Sequence, residues 1–140
     1  MRLTKFACIF LMTLAGGWGR ARQNAGTKTD AEDVRAAIAG LWRGHSVCVD
    51  KNGPCHDEVN VYRFSKVTGS LNEFSVTASK IVDGKEILMG SGTWKYDEKT
   101  KIVETQKPLI RLRVEGKKME GELSLADGTA YRRIYLEKEN

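Results

Sequence analysis

Two histidines and two cysteines stand close together, in the order His45-x-x-Cys48 and Cys55-His56. Imidazole nitrogen and thiolate sulfur are the donors that tetrahedral zinc prefers, so the cluster could hold a metal. The same sulfurs, once oxidised, would instead close a disulfide around the segment Val49 to Pro54. Cys55 and His56 are adjacent, a poor arrangement for two ligands of one ion. A Cys48–Cys55 disulfide is therefore the stronger reading, and no metal is expected. Asn52-Gly53 supports it, because that dipeptide readily takes positive φ in a tight turn that brings two sulfurs together. Asp50, Asp57 and Glu58 place hard oxygens near the same turn. Calcium loops of the EF-hand type need their acids at alternate positions ending in a glutamate, and that spacing is missing here. A solvated acidic turn is expected.

Nucleophilic catalysis needs a serine or cysteine with a base in reach. Ser46 lies beside His45 with Asp57 beyond, but no Gly-x-Ser-x-Gly or comparable frame surrounds it. The carboxylate pairs Asp57-Glu58 and Asp97-Glu98 fall at turns, where solvent leaves such groups ordinary. Glycines occur at turns or within strands rather than in a phosphate-cradling loop; Gly90 and Gly92, before Trp94, read as sites of tight curvature or a bulge. These patterns imply no catalytic residue, no cofactor and no enzyme.

The last apolar segment, Tyr131 to Lys138, carries a further constellation. With Tyr131, Arg133 and Tyr135 facing inward, two phenols and a guanidinium would line a cavity and hold an anionic head group. With Ile134 and Leu136 inward, the same polar groups decorate the outside. Period two leaves both open, since either face contains plausible core residues.

The N-terminus says where this chemistry would operate. Arg2 and Lys5 precede an apolar run from Phe6 to Ala15, followed by small residues at Gly16, Gly17, Gly19 and Ala21. That is the order of a secretory signal peptide, read over residues 1–21. A membrane-spanning helix needs roughly 20 apolar residues, about twice this run. Cys8 sits inside the run, too early for a lipid-bearing cysteine. The expected product is soluble and either secreted or periplasmic, without stable membrane insertion once the leader is removed. Lys+Arg 23 against Asp+Glu 18 gives +5; losing Arg2, Lys5 and Arg20 lowers the formal charge to +2. The remaining cations are scattered rather than gathered on one face, so nucleic acid is not an expected partner. Two cysteines in an exported chain favour the disulfide again.

Positioning falls to a short helix and a series of strands. Residues 22–29 are small and polar and read as a flexible lead-in. Asp30 then caps a helix over 31–39 with Val34 and Ile38 on one face, ended by Gly40. From Leu41 the period changes to two. Eight strands are predicted near 41–49, 57–66, 72–82, 85–96, 101–106, 109–115, 117–125 and 129–137. Turn residues such as Asp83-Gly84 and Asp127-Gly128 separate them. No gap leaves room for a crossover helix, so neighbours pair antiparallel as a meander. Closing that all-β meander into a barrel removes its edges; a two-sheet sandwich is the rival.

Gly40-Leu41-Trp42, opening the first strand directly after a short helix, resembles the Gly-x-Trp start of the lipocalins. The resemblance implies that residues 30–140 form a lipocalin-like barrel with Trp42 packed in its closed end. It also implies Arg132 or Arg133 lying over that ring in a cation–π contact. Arg133-Ile134-Tyr135 similarly resembles the terminal Arg-x-Tyr of the fatty-acid-binding proteins, which implies a grip on a ligand carboxylate. Those proteins are cytosolic and carry a helical lid where this chain has only the Cys48–Cys55 turn. The chain is also similar to small exported bacterial proteins, a likeness that implies no activity. The function expected is binding of a small amphipathic or fatty-acid-like ligand inside the barrel, its polar end at Tyr131, Arg133 and Tyr135. The alternative is an exported interaction or envelope protein whose barrel is filled by its own side chains.

Overall fold

Each of the eight alternating segments forms a strand. The computed structural model describes residues 26–140; the leader read over residues 1–21 lies outside the described residues. A helix, α1 (Gly26–Ile38), precedes β1 (Gly40–Cys48), β2 (Glu58–Lys66), β3 (Glu73–Val82), β4 (Lys85–Asp97), β5 (Ile102–Gln106), β6 (Leu109–Glu115), β7 (Lys118–Ser124) and β8 (Ala130–Lys138). Sequential neighbours pair antiparallel, and β8 returns to β1 to close the barrel, so the sandwich is excluded. Asp83 and Gly84, both at positive φ, make the two-residue β3–β4 turn as their types dictate.

The period-two alternation sorts the wall into a dry and a wet face. Ile110 and Leu112 of β6, Met119 of β7, and Ile134 and Leu136 of β8 are buried. Arg111, Arg113, Glu120, Glu122 and Arg133 between them are exposed. One end of the cylinder is plugged by Trp42, Phe64, Phe74, Val103 and Leu112, with Ile38 of α1 pressed on them. The helix is pinned there by polar contacts as well. Trp42 Nε1 donates to the Ile38 carbonyl at 2.8 Å, and Arg35 donates to the Val67 carbonyl at 2.9 Å.

Three local expectations are corrected. The helix begins at Gly26, so Gly26–Thr29 are helical rather than lead-in and Asp30 lies inside the helix instead of capping it. Once a helix is nucleated by packing, each added residue gains a hydrogen bond at small cost, and no proline stops it here. Neither Asn52 nor Gly53 takes a positive φ. The β1–β2 loop is shaped instead by Asp50, whose Oδ1 accepts the Asn52 N–H at 2.8 Å, and by the Cys48–Cys55 disulfide. The cation over Trp42 is Lys138, 5.9 Å from the ring centroid. Lys138 is the register partner of Trp42, whereas Arg132 pairs with Cys48. Six residues of strand rise, roughly 20 Å, keep Arg132 away from that ring.

The wall is unevenly sealed. β4 and β5 share only three pairs, Lys95–Glu104, Tyr96–Val103 and Asp97–Ile102. From Lys85 to Trp94, β4 pairs with β3 on one side and, among the described residues, with no strand on the other. The β3–β4 register also slips beside Ala78 and Ser79, leaving Met89 as an extra, bulged residue.

A candidate ligand cleft in the barrel wall

The unsealed stretch between β4 and β5 opens onto a cleft of about 350 Å³, at the small end of ligand sites. Its walls are Tyr62, Val76, Ala78, Trp94, Ile110 and Leu123, carried inward by β2, β3, β4, β6 and β7. Tyr62 and Trp94 meet edge to face with centroids 5.7 Å apart, and Phe64 packs edge-on to Trp94 from below at 5.6 Å. That aromatic floor separates the cleft from the plugged end of the barrel. Burial, reinforced by the charge of Glu58, pushes the Tyr62 phenol up to about 12, so it stays neutral at physiological pH.

Gly90 and Gly92 complete the site. They share the inward phase of Trp94 and Tyr96, opposite Ala78 and Val76 across the β3–β4 ladder. A Cβ built on either would meet nothing within 4 Å. These glycines therefore leave volume unfilled. The expected bulge does fall beside Gly90, at Met89. The glycines required by close backbone approach are others, since a Cβ at Gly44 would sit 1.8 Å from the Tyr135 carbonyl oxygen and one at Gly121 1.8 Å from that of Arg111. The spacing Gly90-x-Gly92-x-Trp94-x-Tyr96 carried this signal in the sequence, as two vacancies in phase with two aromatics.

Beyond the cleft, toward the open end, the interior turns polar. Asn60 and Lys80 face each other across β2 and β3. Lys80 and Arg132 both approach Glu58 Oε1, at 3.2 and 3.6 Å. Arg132 also donates to the His56 carbonyl at 3.0 Å. Its role is thus to close the open end with Glu58, while its guanidinium lies 5.5 Å from the Tyr131 centroid.

The residues proposed for an interior ligand lie elsewhere. Ile134 and Leu136 take the inward phase, which puts Arg133 on the outside, 3.9 Å from Glu122, and leaves Tyr135 43% exposed in an outer groove. Burying Ile134 and Leu136 gains apolar transfer energy, while burying Arg133 would cost unless it were fully paired. Tyr131 is half-buried near the open end, and none of the three lines the cleft. Cys48 and Cys55 are bonded to each other, so neither sulfur is a thiolate ligand. His45 and His56 are both exposed, while Ser46 is buried on the opposite face from His45. Asp57, Asp50 and Glu58 diverge: Asp57 accepts the Cys48 N–H at 2.8 Å, which together with Lys51 holds its carboxyl below the usual range.

No protein-family model and no curated protein matches the chain. Among solved structures, a redesigned β-barrel matches with a TM-score of 0.54 at 15% identity, covering 76% of this chain and 95% of that one. At that identity the likeness shows the barrel fold alone; a lipocalin family is not shown.

Proposed function

We propose that this chain is an exported, non-enzymatic carrier that holds a small, largely apolar molecule in the β4–β5 wall cleft. The observation that carries the reading is the pair of inward glycines, Gly90 and Gly92, facing open space beside Tyr62 and Trp94. Glycine within a strand costs roughly 0.5–1 kcal/mol relative to alanine. A barrel that needed only a filled core would be steadier with side chains at both positions. Vacancy walled by aromatics is what a ligand site requires. The disulfide is compatible with a location outside the cytoplasm, in line with the leader read in the sequence.

Native mass spectrometry of the purified protein, joined with Trp94 fluorescence on adding medium-chain fatty acids and alcohols, tests this. Retained lipid or a saturable fluorescence change is expected in the wild type. Gly92→Leu should fold normally and abolish it. Equal binding by Gly92→Leu, or no binding by either protein, would overturn the reading.

A second reading rests on the edge of β4 that pairs with no strand among the described residues, where Leu88 is 65% exposed beside Ile87 and Met89. Free backbone groups next to apolar side chains suit the addition of a strand from a partner protein. It corresponds to the interaction role expected of a filled barrel. An oligomer or peptide complex disrupted by Leu88→Lys, with the fold intact, would favour it over the carrier.

A further inference from the structure

Resting on the carrier reading, the interior assigns both the orientation of the ligand and the chemistry of its leading end. Asn60 is only 1% exposed and faces inward one step along β2 from Tyr62. Its Oδ1 has no hydrogen-bond partner among the described residues. Its Nδ2 reaches only Met89 Sδ, at 4.0 Å, a weak acceptor at the limit of contact. Met89 itself lines the cleft, on the bulge of β4, and is 44% exposed. A flexible side chain therefore stands between the cleft and a buried amide that lacks a donor.

We propose that the ligand is a neutral amphiphile whose hydroxyl or amide N–H enters first, displaces the Met89 side chain and donates to Asn60 Oδ1. A buried acceptor without a partner is costly, and a donor that reaches it recovers that cost on binding. A hydroxyl can also accept from Nδ2, satisfying both halves of the amide. An anion is a poorer match, because it brings no donor to Oδ1. The nearby cations, Lys80 and Arg132, already converge on Glu58. The apolar tail then lies along Tyr62, Trp94 and Ile110 and ends at the rim near Pro108.

The test compares 1-decanol with nonyl methyl ether, which has the same number of heavy atoms but no donor. Both would displace a fluorescent apolar probe from the full chain. Decanol should bind roughly tenfold tighter to the wild type, the scale of one well-made hydrogen bond in a dry site. Asn60→Leu should erase that preference while still binding the ether. Met89→Ala, at an exposed position that tolerates truncation, should uncover Asn60 and strengthen decanol binding more than ether binding. Equal affinities in the wild type, a preference that survives Asn60→Leu, or no selective gain in Met89→Ala would each overturn the proposal. If neither compound displaces the probe from any variant, the cleft itself fails as a binding site, a result distinct from binding that ignores Asn60.

Discussion

Lys138 and Trp42 are register partners across the β8–β1 seam, and the lysine ammonium lies 5.9 Å from the indole centroid. The same Nζ donates to the carbonyls of Ala36 and Ala37 at 3.2 and 2.6 Å, at the C-terminal end of α1. One cation thus holds the closing helix to the tryptophan beneath it. Partial burial, followed by the charge of Lys117, lowers its pKa. Lys138→Met keeps the apolar stem but loses the helix-end charge and the ring contact. A loss of about 1–2 kcal/mol is expected in urea unfolding. A value indistinguishable from the wild type would show that α1 is held by Ile38, Trp42 and the Arg35–Val67 hydrogen bond without help from Lys138.

Four glycines should divide into two classes on substitution by alanine. At Gly44 and Gly121 the new Cβ would collide with backbone oxygens of the neighbouring strand, which cannot move aside as a flexible side chain can. A loss of about 3 kcal/mol or failure to fold is expected. Gly90→Ala and Gly92→Ala meet open space and should be neutral or stabilising by up to about 1 kcal/mol. Thermal midpoints of the four variants decide, and similar losses in all four would mean the cleft is closed in solution.

Arg133→Ala and Tyr135→Ala should leave cleft binding unchanged, because both side chains project from the outer wall. A change in affinity for decanol of more than about threefold would place part of the site outside the barrel.

That prediction reverses what the terminal strand suggested, and the reversal shows what a sequence can carry. The strands were legible because turn residues punctuate them: Asp83-Gly84 sets the β3–β4 register locally. Which face of β8 is dry was not, because Tyr131, Arg133, Ile134, Tyr135 and Leu136 supply apolar surface in both phases. The choice is made non-locally, by pairing with β1 and β7 at once. The Trp42–Lys138 contact depends on that seam, which joins the first strand to the last. The cleft stayed hidden for a related reason. It arises from pairs that β4 and β5 do not make, and missing pairs leave little trace in composition.

Reduction of Cys48–Cys55 should lower stability without removing the barrel. The bridge closes a short loop, with a sequence separation of 7. On the chain-entropy account, a loop of that size contributes about 2 kcal/mol. The Cys48 N–H also donates to Asp57 Oδ1 at 2.8 Å, a contact that does not involve either sulfur and should hold the loop base after reduction. Unfolding free energies from urea titrations with and without reductant should differ by that amount, with unchanged far-ultraviolet circular dichroism. Loss of strand signal on reduction would mean that the loop organises the β1–β2 pair rather than merely restraining it.

Acid should weaken the fold through carboxylates that are partnered in the native state. Glu86 pairs with Arg63 across the outer face, and hydrogen bonds from Arg63 and then Ser79 bring its pKa from 4.5 to about 2. Glu32, beside Lys66 and Arg35, and Asp97 and Asp127, which accept backbone N–H groups at turns, are lowered too. In each case the unfolded chain binds the proton more readily. The contribution is therefore fully present above the unfolded value, near pH 4.5 for Glu86, and is lost as pH falls toward about 2. Thermal midpoints measured across that window should decline in the wild type. Glu86→Gln should start lower at neutral pH and decline less, because one of the titrating groups has been removed. Parallel curves for the two proteins would show that the Arg63–Glu86 pair is too well screened by solvent to matter, and the acid sensitivity would then belong to the turn aspartates and Glu32.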